Sequence, residues 1–275
     1  LLMSKDQPFT AQRTPKYVGR FAPSPSGPLH FGSLVSALAS YLDAKANNGL
    51  WLLRIEDLDP PREPAGAANR IIQQLESLGL AWDDEVLFQS KRIDAYDSAL
   101  MKLATEGLCF HCSCSRRDVK TMKGGYDGKC RSNGLSAREL QYPIKKQHST
   151  SIRIRTDLKK VGFEDAILGP FSSQLSESGG DFIIRRKDGM IAYQLAVVID
   201  DAWQGVTNIV RGTDLLSSTP KQRYLQTVLG LAQPTYAHIP IVTDTNGTKL
   251  SKQAFARAID TEDAFPLLFL SLIHI

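Results

Sequence analysis

The sequence predicts an α/β fold with a parallel sheet, because a strand, a helix and a second strand follow one another near its start. Residues 17–22 have the pattern of a short strand, and apolar residues recur at helical spacing through 32–46. The turn signal at 47–49 ends that helix, and the nearly continuous apolar run at 50–55 is typical of a strand covered on both faces. Such a unit predicts a right-handed crossover and parallel pairing of the two strands.

The rest of the chain adds elements of both kinds. Apolar spacing predicts helices at 65–80, 94–105 and 219–230. Strands are predicted at 151–155, 181–185 and 239–243, with a turn at 244–248. The apolar run at 192–200 is interpreted as a strand that leads into 209–212, which puts Asp200 and Asp201 at a strand end, as rim or structural groups of a site.

Composition and charge narrow the class of protein. The chain has 275 residues with 33 Lys and Arg against 29 Asp and Glu, an ordinary globular composition that excludes a disordered or coiled-coil protein. The net charge of +4 is uneven, since residues 111–160 carry 13 basic and 4 acidic side chains, a net +9, which leaves −5 for the remainder. Such a basic block is either a solvated surface or a nucleic-acid face.

Cysteine usage predicts a reduced, cytoplasmic location. The four cysteines all lie between Cys109 and Cys130, and no secretory leader precedes them. No apolar run approaches the roughly 20 residues of a membrane span, so no membrane partner is expected. We expect a monomer.

The most informative stretch is the turn at 21–32, between the first strand and the first helix. Its prolines and glycines sharpen the turn and place His30 just before a helix N-terminus, where unpaired amides and the positive dipole end favour anions. An imidazole there can stabilise charge on a phosphate in a transition state. Gly32 lets a flat ring approach the backbone closely.

A second stretch, 249–253, places two lysines around a serine directly after an Asn-Gly turn. Lysine charges on a mobile loop suit a triphosphate that must be held and then released. Taken alone, each stretch is equally compatible with an ordinary turn or a solvated loop. The residues concerned are Lys249, Ser251 and Lys252.

Together, in this order and about 220 residues apart, the two stretches resemble the HIGH and KMSKS signatures of class I aminoacyl-tRNA synthetases. The segments 19–25, 54–57 and 209–214 narrow the resemblance to the glutamyl branch, and it covers 17–253. The resemblance implies a Rossmann-like nucleotide-binding domain with ATP across the C-terminal ends of the strands. His30 and Lys252 would then be catalytic, and ATP would bind at His30, Gly32, Lys249, Ser251 and Lys252.

The same resemblance implies a glutamate site, and the residue types fit that substrate. Arg20 and Arg211 can bind carboxylates as planar forks, Glu56 can pair with the ammonium group, and Tyr193 can donate a hydrogen bond to a carboxylate. The family's positions for the amino acid also include the strand end and turn at Phe21, Ala22, Pro23 and Ser24.

The cysteines predict a metal site. Cys112, Cys114 and Cys130 are three thiolates consistent with one closed, structural zinc site. By spacing, Cys109, His111 and Tyr126 are all in range as the fourth ligand, and chemistry alone favours Cys109 or His111. The pattern C-x-C-x11-Y-x3-C, however, matches the glutamyl-Q tRNA(Asp) synthetases, truncated paralogues of glutamyl-tRNA synthetase, so Tyr126 is the predicted ligand.

This resemblance implies a division of the chain into segments. An N-terminal arm covers 1–16, the two halves of the catalytic domain cover 17–108 and 151–256, and a basic zinc-binding insert at 109–150 separates them. Residues 257–275 are expected to be a truncated C-terminal segment.

The resemblance also implies an activity. L-glutamate would be activated with ATP and Mg²⁺ to glutamyl-adenylate without tRNA, and then transferred to the queuosine base at the wobble position of tRNA(Asp). One alternative is a fragment of a conventional glutamyl-tRNA synthetase that charges tRNA(Glu). Another is an inactive nucleotide- or RNA-binding module.

Overall fold

The computed structural model describes residues 17–122, 125–135, 137–141, 150–156, 160–176, 179–243, 250, 258–259 and 264–275. The helices are α1 Phe31–Ala46, α2 Ala67–Ser77, α3 Ile93–Thr105, α4 Arg116–Lys120, α5 Ala137–Gln141, α6 Tyr193–Trp203, α7 Thr219–Leu229 and α8 Ala264–His274. The strands are β1 Val18–Phe21, β2 Leu50–Ile55, β3 Leu87–Phe88, β4 Cys109–Cys112, β5 Gly125–Tyr126, β6 Ser151–Ile154, β7 Lys160–Asp165, β8 Gly169–Gln174, β9 Gly179–Gly180, β10 Ile183–Arg185, β11 Asn208–Gly212 and β12 Thr235–Ile239.

The predicted strand, helix, strand unit is confirmed. β1 and β2 pair in parallel, from Val18 opposite Leu50 to Phe21 opposite Leu53, and β3 extends the same sheet in parallel. α1 lies against this sheet and buries residues such as Leu34 and Leu38, which the helical spacing of apolar residues anticipated. The crossover brings the C-terminal end of β1 and the N-terminal end of α1 to one edge of the sheet.

A second sheet lies next to β1 of the first sheet. Its strand order is β11-β12-β7-β8, and β11 pairs with β12 in parallel along its whole length. The backbone N–H of Val18 donates to Thr207 Oγ1, and that of Thr207 donates to the Val18 carbonyl, which joins β1 to the segment leading into β11. The C-terminal ends of β1 and β11 therefore lie side by side.

The strand predicted at 239–243 is wrong by several residues. The strand is β12, Thr235–Ile239, and Pro240 directly follows it. Proline lacks the N–H that a ladder needs, so the strand ends before it. The β7–β8 hairpin was not predicted from the sequence, because exposed and partly buried residues alternate with few apolar ones along it.

The strand interpretation of 192–200 is also wrong, because these residues form most of helix α6. Leu195 to Val198 are all buried, so the helix lacks a polar face over this stretch. A short run of consecutive apolar residues does not distinguish a buried helix from a buried strand. Asp200 and Asp201 consequently lie in the last turn of a helix and not at a strand end.

Three further strands form an antiparallel sheet in the order β10-β6-β4. β4 begins at Cys109, where no strand is predicted from the sequence, and Cys109 lies opposite Ile154 of β6. The sheet thus crosses the predicted boundary of the insert at 109–150. Near the C-terminal end of the described residues, α8 packs on α1, and the backbone N–H of Ile259 donates to the Leu29 carbonyl.

Asp200 joins two helices inside the core. Its carboxylate is fully buried and accepts hydrogen bonds from Gln89 Nε2 at 2.8 Å, Arg92 Nε at 2.6 Å and the Tyr96 hydroxyl at 2.7 Å. A buried carboxylate with several donors is stable only while those donors stay in place. Asp200 therefore has a structural role, joining α6 to α3 and the turn before it.

Among the residues that the structure describes, none of the helices contains an apolar stretch of the length needed to span a bilayer.

Candidate active site

His30 caps the N-terminus of α1. Its backbone is extended, with φ −114° and ψ 170°, and its Nδ1 accepts a hydrogen bond from the Ser33 N–H at 3.3 Å. Because Nδ1 accepts, the proton of the neutral ring lies on Nε2. A Cβ built on Gly32 would lie 3.2 Å from His30 Cε1, closer than side chains normally pack. A larger residue at position 32 would therefore crowd His30, and the approach of a flat ring to the backbone at Gly32 stays a prediction.

A cavity of about 540 Å³ opens at His30, and we call it the His30 cavity. It lies at the C-terminal ends of β1, β11 and β12, where ligands bind in open α/β sheets. The predicted residues Phe21, Ala22, Pro23, Ser24, His30 and Gly32 all line it. Lys249, Ser251 and Lys252 lie outside the described residues, but Leu250 lines the cavity, and its N–H donates to the Val242 carbonyl.

A second cavity of about 620 Å³ adjoins the first, since Ser24 and Ser26 line both. We call it the Glu56 cavity, because it contains Glu56 together with Tyr193. Gln89, Asp59 and Arg186 form further parts of its wall. Two connected cavities, one at a helix N-terminus and one lined by a buried carboxylate, provide room for a nucleotide beside a small charged molecule.

One carboxylate holds two buried arginines beside the Glu56 cavity. Asp201 lies 3.1 Å from Arg20 Nε and 2.8 Å from Arg54 Nη2, and each of these three side chains is at most 5 % exposed. Burial works against the charge of Asp201, but Arg54 and Arg20 lower its pKa below the usual range. The sequence analysis missed Arg54 as a site residue and gave Asp201 no firm role, because the pairing depends on where α6 packs.

Glu56 lies at the end of β2, 3.5 Å from Arg54 Nη2. Burial raises the pKa of Glu56 to about 7, against the opposing attraction of Arg54 and Arg20. A carboxyl group whose pKa is near neutrality changes its charge under physiological conditions. Its affinity for a cationic group therefore depends on pH.

The predicted glutamate-binding residues act on one another electrostatically. Burial raises the pKa of the Tyr193 hydroxyl; Glu56 adds to this rise, while Arg211 and Arg20 oppose it. The structure thus brings Arg20, Glu56, Tyr193 and Arg211 together, although they come from β1, the end of β2, α6 and β11. Arg211 is 4 % exposed, and its Nη1 is buried without a hydrogen-bond partner among the described residues. Such a donor is suited to a ligand's carboxylate.

The three cysteines of the predicted metal site also come together. The Sγ atoms of Cys112, Cys114 and Cys130 all lie within 4.8 Å of one another. Burial works against the Cys130 thiolate, but hydrogen bonds from Tyr126 and from the neighbouring thiols lower its pKa to about 7. Three converging thiols of this kind have the chemistry and spacing of a structural zinc site.

The three candidates for the fourth ligand differ in position. Successive side chains of a strand point to opposite faces, so Cys109 and His111 lie on the face of β4 away from Cys112. Cys109 packs in a separate apolar cluster, and His111 Nδ1 lies 3.0 Å from Thr150 Oγ1. The Tyr126 hydroxyl, in contrast, accepts a hydrogen bond from the Cys130 N–H at 2.7 Å. Of the three, Tyr126 is the one beside the thiols.

Comparison with known proteins places this geometry in a family. The catalytic-domain model described as "tRNA synthetases class I (E and Q)" matches residues 16–270. The chain is 52 % identical over 260 residues to the glutamyl-Q tRNA(Asp) synthetase of Pseudomonas syringae pv. tomato, covering 94 % of this chain and 85 % of that protein. It is 50 % identical to that of Pseudomonas fluorescens, covering 96 % and 85 % of the two chains.

Solved structures give a consistent result. A glutamate tRNA ligase from Elizabethkingia meningosepticum, in complex with its amino acid, superimposes with a TM-score of 0.73 at 29 % identity. The match covers 86 % of this chain and 52 % of that one, so this chain spans about half the length of that ligase. The cavities described above therefore belong to the catalytic domain of a class I tRNA synthetase, and the chain is a member of the glutamyl-Q tRNA(Asp) synthetase family of ligases.

Proposed function

We propose that this protein activates L-glutamate with ATP, without tRNA, and transfers it to the queuosine base at the wobble position of tRNA(Asp). The observation that supports this most directly is the pair of connected cavities. One places His30 at a helix N-terminus, and the other holds Glu56 and Tyr193, with Arg20 and Arg211 close by. The curated relatives at about half identity are named for this transfer.

Activation requires positioning and charge stabilisation, and no side-chain nucleophile. Glu56 pairs with the substrate ammonium, Arg20, Arg211 and Tyr193 bind its carboxylates, and residues 21–24 form the floor on which it lies. An oxygen of the α-carboxylate attacks the α-phosphorus of ATP, the bond to the β-phosphate oxygen breaks, and pyrophosphate leaves. His30 and Gly32, with Lys249, Ser251 and Lys252, hold the phosphates as charge develops. Mg²⁺ accompanies the ATP phosphates.

Transfer follows from the adenylate. A hydroxyl group of the modified base attacks the glutamyl carbonyl and loses its proton, and AMP leaves with the bonding electron pair. The exposed basic residues around the cysteines favour contact with the tRNA backbone; they are Arg116, Arg117, Lys120 and Lys129.

We further propose that the protein is a cytoplasmic monomer whose catalytic domain, 17–108 and 151–256, carries a zinc-binding insert at 109–150.

The acceptor is tested by supplying [¹⁴C]glutamate and ATP with two tRNAs. We expect acid-precipitable label on queuosine-bearing tRNA(Asp) and none on tRNA(Glu), together with glutamate-dependent ATP/pyrophosphate exchange in the absence of tRNA. Queuosine-free tRNA(Asp) is the matched control and should stay unlabelled. Label on tRNA(Glu) alone would establish the conventional synthetase activity instead, and absence of exchange under all conditions would indicate an inactive binding module.

Glu56 makes the affinity for glutamate depend on pH. Its pKa of about 7 means that the carboxyl is mostly protonated at pH 6 and mostly ionised at pH 8. Since only the ionised form attracts the substrate ammonium, the affinity should rise about tenfold between these pH values. Calorimetric titration with glutamate measures it. The Glu56→Gln variant should bind weakly and without this pH dependence, whereas the exposed control Glu76→Gln should behave as the wild type; a flat wild-type profile would contradict the role.

The metal site is tested by zinc content. The donor set fits one Zn²⁺, held by Cys112, Cys114, Cys130 and Tyr126, whose chemistry is to fix the fold of the insert. Elemental analysis of the purified protein should give about one zinc per chain. The Cys112→Ala variant should lose it, while Cys109→Ala, a buried cysteine on the opposite face of the same strand, should retain it. Equal zinc contents in the two variants would show that the thiol cluster is not the site.

A further inference from the structure

A buried chain of polar groups connects Asp165 with Arg211. The Asp165 Oδ2 lies 2.5 Å from His238 Nδ1, and His238 Nε2 lies 3.2 Å from Arg211 Nε. Asp165 is 2 % exposed and His238 is fully buried. The three residues lie on adjacent strands, because β12 is between β7 and β11 and the parallel register sets His238 beside Arg211.

The hydrogen bonds define which ring nitrogen of His238 carries the proton. Asp165 Oδ1 accepts the backbone N–H groups of Ile167 at 3.1 Å, Leu168 at 3.0 Å and His238 at 3.2 Å, which fixes the carboxylate. A carboxylate accepts, so His238 Nδ1 is the protonated nitrogen and donates to Oδ2. Nε2 is then left with its lone pair and accepts from the Arg211 Nε–H.

Arg211 is consequently held by uncharged groups. Its Nη2 donates to Thr219 Oγ1 at 2.7 Å, its Nε donates to His238, and its Nη1 remains buried without a partner among the described residues. Arg20 and Arg54 differ, since both contact the Asp201 carboxylate. A carboxylate in place of His238 would cancel the attraction of Arg211 for an anionic ligand. A neutral imidazole orients the guanidinium and keeps the Asp165 carboxylate out of direct contact with it.

We propose that Asp165 and His238 are positioning residues that fix Arg211 through a neutral acceptor and direct its Nη1 to a carboxylate of the amino-acid substrate. This inference rests on the proposed activation of glutamate and adds the residues that set its recognition. Neither residue needs to touch the substrate. Their effect should therefore appear in the KM for glutamate, with little change in the KM for ATP.

The Asp165→Asn variant tests this directly. The three backbone N–H donors keep the amide oxygen at the Oδ1 position, which turns the amide NH₂ towards His238 Nδ1. The imidazole proton must then move to Nε2, where it faces the Arg211 Nε–H as a second donor. The new Nε2–H also competes with Arg211 Nη2 for Thr219 Oγ1, which lies 3.1 Å from Nε2. In glutamate-dependent ATP/pyrophosphate exchange we expect the KM for glutamate to rise on the order of tenfold, with the KM for ATP within about twofold of the wild type.

Asp181→Asn is the matched control, because Asp181 is also buried and hydrogen-bonded but contacts Arg131 and Thr156 instead. Its KM for glutamate should equal that of the wild type even where its melting temperature falls. An unchanged KM for glutamate in Asp165→Asn would overturn the positioning role. A wild-type protein without exchange activity would instead contradict the proposed function itself.

A second pair of variants covers the case in which Asp165→Asn does not fold. His238→Gln keeps an acceptor oxygen near Arg211, whereas His238→Leu fills the space without one. Both variants should have a higher KM for glutamate than the wild type. We expect the KM of His238→Leu to exceed that of His238→Gln by at least about threefold. Equal KM values in the two variants would show that His238 contributes packing alone.

Discussion

Asp201 contacts two buried arginines at once, and this pairing joins the elements that carry Phe21, Glu56 and Tyr193 to the two cavities. Arg20 lies on β1, Arg54 on β2 and Asp201 on α6, so a single carboxylate fixes a helix against two strands. Removing it would break the ion pair of Arg20 and leave Arg54 with Glu56 alone, at 3.5 Å, a change that typically costs several kcal/mol in buried ion pairs. Because Asp201 offsets the charge of the two arginines, they do not cancel the effect of burial on Glu56, and its pKa stays at about 7.

The charges around the Glu56 cavity complement an anionic amino acid. Arg20, Arg54 and Arg211 carry three positive charges, and Asp201 with ionised Glu56 carries two negative ones, which leaves an excess of +1 among these five residues. Asp165 is a further carboxylate, but His238 separates it from Arg211. Glutamate has the opposite net charge of −1, and the proposed binding mode sets its ammonium opposite a carboxylate and its carboxylates opposite guanidinium groups. The excess is localised at Arg211, because the other two arginines contact Asp201 and Arg211 has neutral partners. His238 and Thr219 thus orient the guanidinium group, and Arg211 itself supplies the charge.

The sequence predicted the parts of this site that are local in the chain. The turn before α1, with His30 and Gly32, is specified by its prolines and glycines, and the apolar pattern of 50–55 identified β2. Positions that depend on packing between distant segments were not predictable. Arg54, Asp165 and His238 are ordinary polar residues in the sequence. Arg54 pairs with Asp201 only because α6 packs against β2, and Asp165 pairs with His238 only because β12 lies beside β7. The α6 error has the same origin, since the run of buried residues from Leu195 to Val198 has no polar face from which a helical period can be inferred.

For the cysteine cluster, in contrast, the spacing in the sequence predicted residues that come together in the fold. Spacing alone selected Cys112, Cys114 and Cys130 correctly as a group, since these thiols converge. The alternation of side chains along β4 separates Cys109 and His111 from the cluster. This separation could not be predicted, because the sequence does not show that 109–112 is a strand. A two-residue strand, β5, brings Tyr126 to the thiols through its parallel pairing with β9.

In the proposed complex, Arg211 presents its charge to a substrate carboxylate, while Glu56 binds the ammonium group. A crystal structure with a non-hydrolysable glutamyl-adenylate analogue tests it most directly. We predict a carboxylate oxygen within hydrogen-bond distance of Arg211 Nη1, the ammonium on Glu56 and the adenosine in the His30 cavity. An analogue whose carboxylate lies away from Arg211, or whose ammonium lies away from Glu56, would contradict the account.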